Sequence, residues 1–164
     1  MKDFFNKTDL TRKDAEGIIS ETLNKSDDGE LYLENSKSES IVLDDNKIKS
    51  STYSSDLGYG LRAVTGEVVA YSHSNEISRN SLRQSADNLK STLKSKNGVY
   101  NHEIPKTNKK FYKSVNPIEE KSLQSKLELL KEVNSYTRAK GGIVHQVTAS
   151  FAGEHKSIEI IRSG

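Results

Sequence analysis

The sequence contains no cysteine and no tryptophan, and only two prolines. Without cysteine the chain forms no disulfide, offers no thiolate ligand to a metal and has no cysteine nucleophile. No apolar run approaches the ~20 residues that a membrane-spanning helix needs. The first residues, MKDFFNKTDLTRKD, lack the apolar core of a secretory signal. These absences favour a cytoplasmic protein and give no support to a membrane partner.

Apolar residues and net charge are both low. Apolar side chains make up 32% of the chain, against about 45–50% in an average globular domain when glycine is counted too. The 25 basic and 23 acidic residues are intermixed and leave a net charge of only +2. Nucleic-acid binders instead concentrate basic residues on one surface. The composition therefore predicts a thin core and does not support nucleic-acid binding.

The chain begins with the pattern of an amphipathic helix, from Thr11 to Lys25. Its apolar residues recur every three or four positions, which places them on one helical face. Thr11 and Asp14 have the spacing of a capping box, in which each side chain bonds to the other residue's backbone N–H. The turn-forming residues Ser26 to Gly29 then end the helix.

Alternating and short apolar runs between Glu30 and His73 predict four or five antiparallel strands. The runs that carry this pattern are Leu31–Glu34, Ile41–Leu43, Ile48–Tyr53, Gly58–Val64 and Glu67–Tyr71. Asp44–Lys47 and Thr65-Gly66 predict tight hairpin turns, because Asp, Asn and Gly tolerate positive φ.

Two further helices are predicted after the strands. The first is capped by Ser78 and carries a narrow apolar stripe as far as Leu93. The second begins at Asn116-Pro117, a cap followed by proline in the first turn, and runs to about Ala139. Its predicted buried face is Leu123, Leu127, Leu130, Val133 and Tyr136. Residues 96–116 lie between the two helices and predict a long mobile crossover.

The C-terminal residues predict one more hairpin, with strands Ile143–Phe151 and His155–Arg162 and a turn at Ala152-Gly153. The complete order is then α-β-β-β-β-β-α-α-β-β. This order predicts an α+β fold with a mostly antiparallel sheet and about three helices packed on one face.

The residues alone indicate no catalytic centre. The four histidines, His73, His102, His145 and His155, do not form the two-histidine spacing of a zinc helix. Paired carboxylates such as Asp44-Asp45 are explained as turn formers. Gly58-Tyr59-Gly60 lacks the third glycine and the helix of a phosphate-binding loop, so it predicts a strand bulge or a close backbone approach.

Several segments nevertheless resemble one known family. They are Glu30–Leu43, Ile48–Ser50, Asp56–Glu67, Tyr71-Ser72, Ile77-Ser78, Leu82–Ala86, Gln146-Val147 and Phe151–Lys156. Together they resemble the N-terminal domain of the TldD/PmbA proteins. The Ser38-Glu39-Ser40 and Gly58–Val64 segments are more similar to the TldD branch. The resemblance covers most of residues 30–164.

The resemblance implies a cytosolic zinc metallopeptidase of bacteria and archaea, in which two related subunits pair and cut unfolded peptides. In that family an H-E-x-x-x-H helix and a later cysteine hold the zinc, and this sequence has neither. We therefore expect no catalytic, cofactor-binding or metal-binding residue in this chain. An isolated chain is expected to be inactive, because hydrolysis needs the ligands, the zinc-bound water and the general base together.

We interpret residues 1–164 as a single N-terminal domain without the C-terminal metal-binding domain. The resemblance implies that it forms part of a substrate-chamber wall and contacts a TldD/PmbA-type subunit in a homo- or hetero-oligomer. Two alternatives remain open at this point. One is a stand-alone regulatory module that binds a peptide or a partner. The other is the remnant of a split or degenerate gene.

Overall fold

The computed structural model describes residues 4–6, 8–93, 98 and 115–162. Within those residues the chain forms four helices and four strands. Their bounds are α1 Arg12–Leu23, β1 Asp28–Asp44, β2 Lys47–Thr65, β3 Val68–Ser74, α2 Arg79–Leu93, α3 Pro117–Glu120, α4 Leu123–Arg138 and β4 Thr148–Ile161. The crossover predicted over 96–116 falls almost wholly outside the described residues.

The four strands form one sheet in the order β3-β2-β1-β4. Strands β2 and β3 pair antiparallel, from Tyr59 opposite Ser74 to Thr65 opposite Val68. The tight turn before β2 places Asp45 and Asn46 at φ 46° and 64°, the left-handed region that two-residue hairpins require. Both predicted hairpin turns are thus present, and the prediction of an α+β fold with an antiparallel sheet is confirmed.

The sheet has fewer and longer strands than the sequence pattern predicted. Strand β1 continues from Asp28 to Asp44 through a polar stretch that we expected to separate two strands. The polar side chains of that stretch have specific partners: Lys37 pairs with Glu119, and Glu39 pairs with Lys126. Because they are neutralised, they extend the strand instead of interrupting it. Strand β2 is likewise continuous over Lys47–Thr65.

The chain divides into two compact units. Unit 1 takes the described residues of Met1–Asn35, Asp56–Tyr112 and Ser157–Gly164, and unit 2 those of Ser36–Ser55 and Lys113–Lys156. The core of unit 1 is broad and almost entirely apolar. Its fully buried large side chains include Leu10, Ile19, Leu23, Leu31, Leu33, Leu61, Leu82 and Leu89.

The helices of unit 1 begin as the sequence predicts. The hydroxyl of Thr11 accepts the backbone N–H of Asp14, and the carboxylate of Asp14 accepts that of Thr11, so the capping box is confirmed. The hydroxyl of Ser78 accepts the backbone N–H of Ser81 at 3.1 Å. The predicted stripe of α2 faces the core and ends at Leu93.

The helical region of unit 2 differs from the prediction of one helix from 116 to 139. The first helix, α3, lasts four residues, and Lys121 then adopts an extended conformation. The hydroxyl of Ser122 caps a second helix, α4, by accepting the backbone N–H of Ser125. Because Lys121 is extended, the side chains of α4 do not continue the faces of α3.

The buried face predicted for this helix is also wrong in most of its members. Leu130 is buried and Leu127 is partly buried, as expected. Leu123, Val133 and Tyr136 are exposed instead, and the residues that α4 buries beside Leu130 are Lys126 and Asn134. The core of unit 2 is correspondingly small: Ile41, Leu43, Leu130 and Ala149, with Leu127 and Phe151 packed against them.

The predicted C-terminal hairpin is absent, because β4 runs without a turn from Thr148 to Ile161. A Cβ atom at Gly153 would lie 3.6 Å from the Ile118 side chain and within 4 Å of the Glu39 side chain. The small residues Ala152-Gly153 therefore mark a close approach of α3 and β1 to β4, not a turn.

Candidate functional site

A buried ion pair holds helix α4 against the sheet of unit 2. The Lys126 Nζ atom lies 2.5 Å from Glu39 Oε1, and these side chains are only 5% and 10% exposed. The same ammonium group donates to the carbonyl oxygen of Ile118 at 2.7 Å and lies 5.6 Å from the centre of the Phe151 ring. Because an unpaired buried charge is strongly destabilising, these partners fix which face of α4 meets the sheet.

This orientation leaves an apolar row of α4 exposed. Leu129 and Val133 are 48% and 43% exposed, and they lie one helical turn apart. Tyr136 continues the row, and the ammonium group of Lys140 lies 4.1 Å from the centre of its ring. Such apolar residues at helical spacing ordinarily face a core. Here Leu129 and Val133 face a depression beside the sheet.

That depression is an open groove of about 430 Å³ between α4 and the first part of β4. We call it the α4–β4 groove. Its lining consists of Leu129, Leu130, Val133, Thr137 and residues 146–151. No lining residue carries a charge, although α4 as a whole has five charged residues. The groove is therefore suited to uncharged chemical groups.

The β1–β2 turn and the end of α4 anchor the segment that leads into β4. Gln146 Nε2 and the Thr148 hydroxyl donate to Asp44 Oδ1 at 2.9 and 2.8 Å. These hydrogen bonds hold the pKa of Asp44 below its usual value. The backbone N–H of Val147 donates to Asp45 Oδ1 at 3.0 Å, and Arg138 forms an ion pair with the same carboxylate. The floor of the groove is thus fixed in place.

Strand β4 also stands at one edge of the described sheet, because it has β1 on one side only in the strand order. The residues from Thr148 to Gly153, Thr-Ala-Ser-Phe-Ala-Gly, contain neither a charge nor a proline. Edge strands usually carry such residues, which discourage pairing with another chain. This edge, next to the groove, is without that protection.

Unit 1 contains a second concentration of polar groups, on β1 and β2. Arg62 lies 2.6 Å from Asp28 and 3.4 Å from Glu30, and Arg162 lies 2.8 Å from Glu30. Burial raises the pKa of Asp28, but the hydrogen bond and the charge of Arg62 outweigh it, so the pKa is lowered. The four side chains neutralise one another. These ion pairs help to hold β1 to β2, and we assign no chemistry to them.

The Gly58-Tyr59-Gly60 segment marks a close approach, as predicted. A Cβ atom at Gly60 would lie 2.5 Å from the Tyr71 hydroxyl oxygen, and one at Gly58 would lie 2.8 Å from the Ser74 carbonyl oxygen. Tyr71 in turn stacks on His73, with ring centroids 5.8 Å apart. Gly60 therefore makes room for the Tyr71 ring of this pair, and Gly58 makes room for the Ser74 carbonyl group.

The histidines do not gather into a site in the described part of the chain. His73 lies on β3 in unit 1, His145 precedes β4 and His155 lies on β4 in unit 2, while His102 lies outside the described residues. Over residues 4–6, 8–93, 98 and 115–162, no group of three His, Cys, Asp or Glu side chains could hold a metal ion. The residues described do not fit the zinc site that the family resemblance implies, so we derive no catalytic step from them.

Sequence comparison places this fold among known proteins. Residues 29–93 match PmbA/TldA metallopeptidase domain 1. A metalloprotease TldD homolog of Buchnera aphidicola is 36% identical over 133 residues, which is 80% of this chain and 28% of the relative. The corresponding Haemophilus influenzae protein is 32% identical over 141 residues, 82% of this chain and 29% of the relative. The chain thus spans well under a third of these curated relatives.

Solved structures show the same fold at low sequence identity. A candidate modulator of DNA gyrase from Bacteroides thetaiotaomicron superposes with a TM-score of 0.66 at 18% identity, over 93% of this chain and 36% of that chain. TldE from Thermococcus kodakarensis gives 0.57 at 13% identity, over 90% of this chain and 34% of that chain. The fold similarity extends well beyond the residues 29–93 that match the family domain.

None of the helices in the described ranges combines the length and the apolar character that a membrane crossing requires. The domain match, the two curated relatives and the shared fold agree on one assignment. Residues 29–93 of this chain carry the first domain of the PmbA/TldA metallopeptidases, and about 80% of the chain is similar to a metalloprotease TldD homolog.

Proposed function

We propose that this chain is the non-catalytic N-terminal part of a TldD-like zinc metallopeptidase. In this proposal, residues 1–164 form one domain that contributes a wall of the peptide chamber and contacts a related subunit. The observation that carries it is the 36% identity to a metalloprotease TldD homolog over 80% of the chain. The zinc ligands and the general base are supplied by a C-terminal domain that is not among these residues.

Two features support a structural role in place of a catalytic one: the missing zinc-ligand residues and the position of β4 at the edge of the described sheet. The family resemblance implies that the zinc is held by an H-E-x-x-x-H helix and a cysteine. This sequence contains neither. The substrate of the complete enzyme is an unfolded peptide in this proposal. A strand at the edge of a sheet, the place that β4 takes among the described strands, is one element to which proteins add an extended peptide. The lack of cysteine also fits a reducing compartment, and we propose the cytoplasm.

The test begins with the purified chain alone. Incubated with zinc and an unfolded peptide, it should release no cleavage products by mass spectrometry and retain no stoichiometric zinc by elemental analysis. Zinc bound one-to-one together with peptide cleavage would overturn the non-catalytic assignment.

The subunit contact requires a separate measurement. Mixed with a full-length TldD- or PmbA-type subunit, the chain should form a complex whose mass by light scattering equals the sum of both. An unrelated basic protein of similar size serves as the control and should elute alone. If the chain also elutes alone at high concentration, the proposed subunit contact is wrong.

A further inference from the structure

We draw no further inference here: the strongest candidate, the α4–β4 groove with the exposed side chains of Leu129 and Val133 on its wall, carries no proposal because nothing in the structure shows what covers it.

Discussion

The two units of this chain are stabilised in different ways. Unit 1 buries a broad set of leucine, isoleucine and phenylalanine side chains from the residues before α1, from α1 and α2, and from the sheet. The described residues of unit 2 bury six apolar side chains, of which only four form a core cluster, and they add a buried lysine and a glutamate that is 10% exposed. A broad apolar core tolerates small shifts of its helices, whereas a single buried ion pair requires one orientation. Among the described residues, unit 2 also leaves an apolar row of α4 exposed beside β4, the strand at the edge of the described sheet.

The buried ion pair explains why the candidate groove lies in unit 2. If α4 were rotated to bury Leu129 and Val133, as an apolar core would favour, Lys126 and Glu39 would separate. The ion pair prevents this rotation, and the groove remains open as a result. Specificity of orientation is the best-supported use of buried polar pairs, and here it leaves Leu129 and Val133 exposed in the groove.

The largest expected effect comes from breaking the pair in unit 2. Lys126→Met leaves the Glu39 carboxylate buried without its partner, so the free energy of unfolding should fall by about 3–5 kcal/mol. Urea unfolding followed by circular dichroism measures the change. The double variant Glu39→Leu with Lys126→Met removes both charges and should recover most of the loss. Lys131→Met, at an exposed position of the same helix, should change stability by less than about 0.5 kcal/mol.

If Lys126→Met were no more destabilising than Lys131→Met, the ion pair would not be what orients α4. A double variant less stable than Lys126→Met alone would likewise show that the ion pair does not orient α4. Either outcome would remove the contrast between the two units, because unit 2 would then depend on its apolar contacts as unit 1 does.

This pair also explains how far the sequence could predict the structure. The capping box of α1, the left-handed hairpin turn and the stripe of α2 are encoded by residues within a few positions of one another, and all were predicted. The face of α4 was not, because Lys126 and Glu39 lie far apart in the sequence. A lysine one turn before Leu130 reads as a solvated residue until its partner on β1 is known. The groove could not be predicted either, because it exists only when α4 buries Lys126 and leaves Leu129 and Val133 exposed.

A cavity in unit 1 should have the next largest effect. Leu89 of α2 is 1% exposed, and Leu89→Ala should lower the free energy of unfolding by about 2–5 kcal/mol. Asp87→Ala, at an exposed position of the same helix, should change it by less than about 0.5 kcal/mol. In unit 2, Glu39→Leu should rescue Lys126→Met. No second substitution of that kind should rescue Leu89→Ala, because its stability is lost through missing apolar volume and not through an unpaired charge. A loss as small as that of Asp87→Ala would show that the core of unit 1 is not closely packed there.

A smaller effect should come from the hydroxyl cluster within the apolar core of unit 1. The Tyr59 hydroxyl lies 2.9 Å from the Ser81 and Ser85 hydroxyls and ties β2 to α2. Tyr59→Phe should cost about 0.5–1.5 kcal/mol in urea unfolding, the usual contribution of such hydrogen bonds. Tyr53→Phe on the same strand is the control, since Tyr53 is exposed and should not change stability. Equal values for the two would mean that the cluster does not hold α2.

Strand β4 shows a second limit of reading the sequence. Ala152-Gly153 has the composition of a turn, and only the side chains of Ile118 and Glu39 packed close to it reveal why small residues stand there. Because a turn was predicted at Ala152-Gly153, the continuous strand β4 beside the groove was not predicted either. The family resemblance, in contrast, was recognisable from the sequence, because it depends on residue identities along the chain and not on contacts between distant segments.

The smallest expected effect concerns the carboxylate that anchors the segment before β4. Hydrogen bonds from Gln146 and Thr148 lower the pKa of Asp44 from its usual 3.8. The unfolded chain therefore takes up the proton first as the pH falls. The contribution of Asp44 is present in full above pH 3.8 and is lost as the pH falls through the lower, folded-state pKa. Stability in this acidic window should depend less steeply on pH in Asp44→Asn than in the unaltered chain.

The two donors provide the control for this pH dependence. A double variant Gln146→Ala with Thr148→Ala removes the hydrogen bonds and leaves the carboxylate, so it should flatten the same part of the pH profile. Adding Asp44→Asn to that background should then produce little further flattening, because what is left there is the weaker attraction of the Lys49 ammonium group, 3.9 Å from the carboxylate. Urea midpoints measured for all four proteins above and below pH 3.8 complete the cycle. Additive effects would mean that Asp44 is stabilised by groups other than these two donors, and that the floor of the groove is anchored differently.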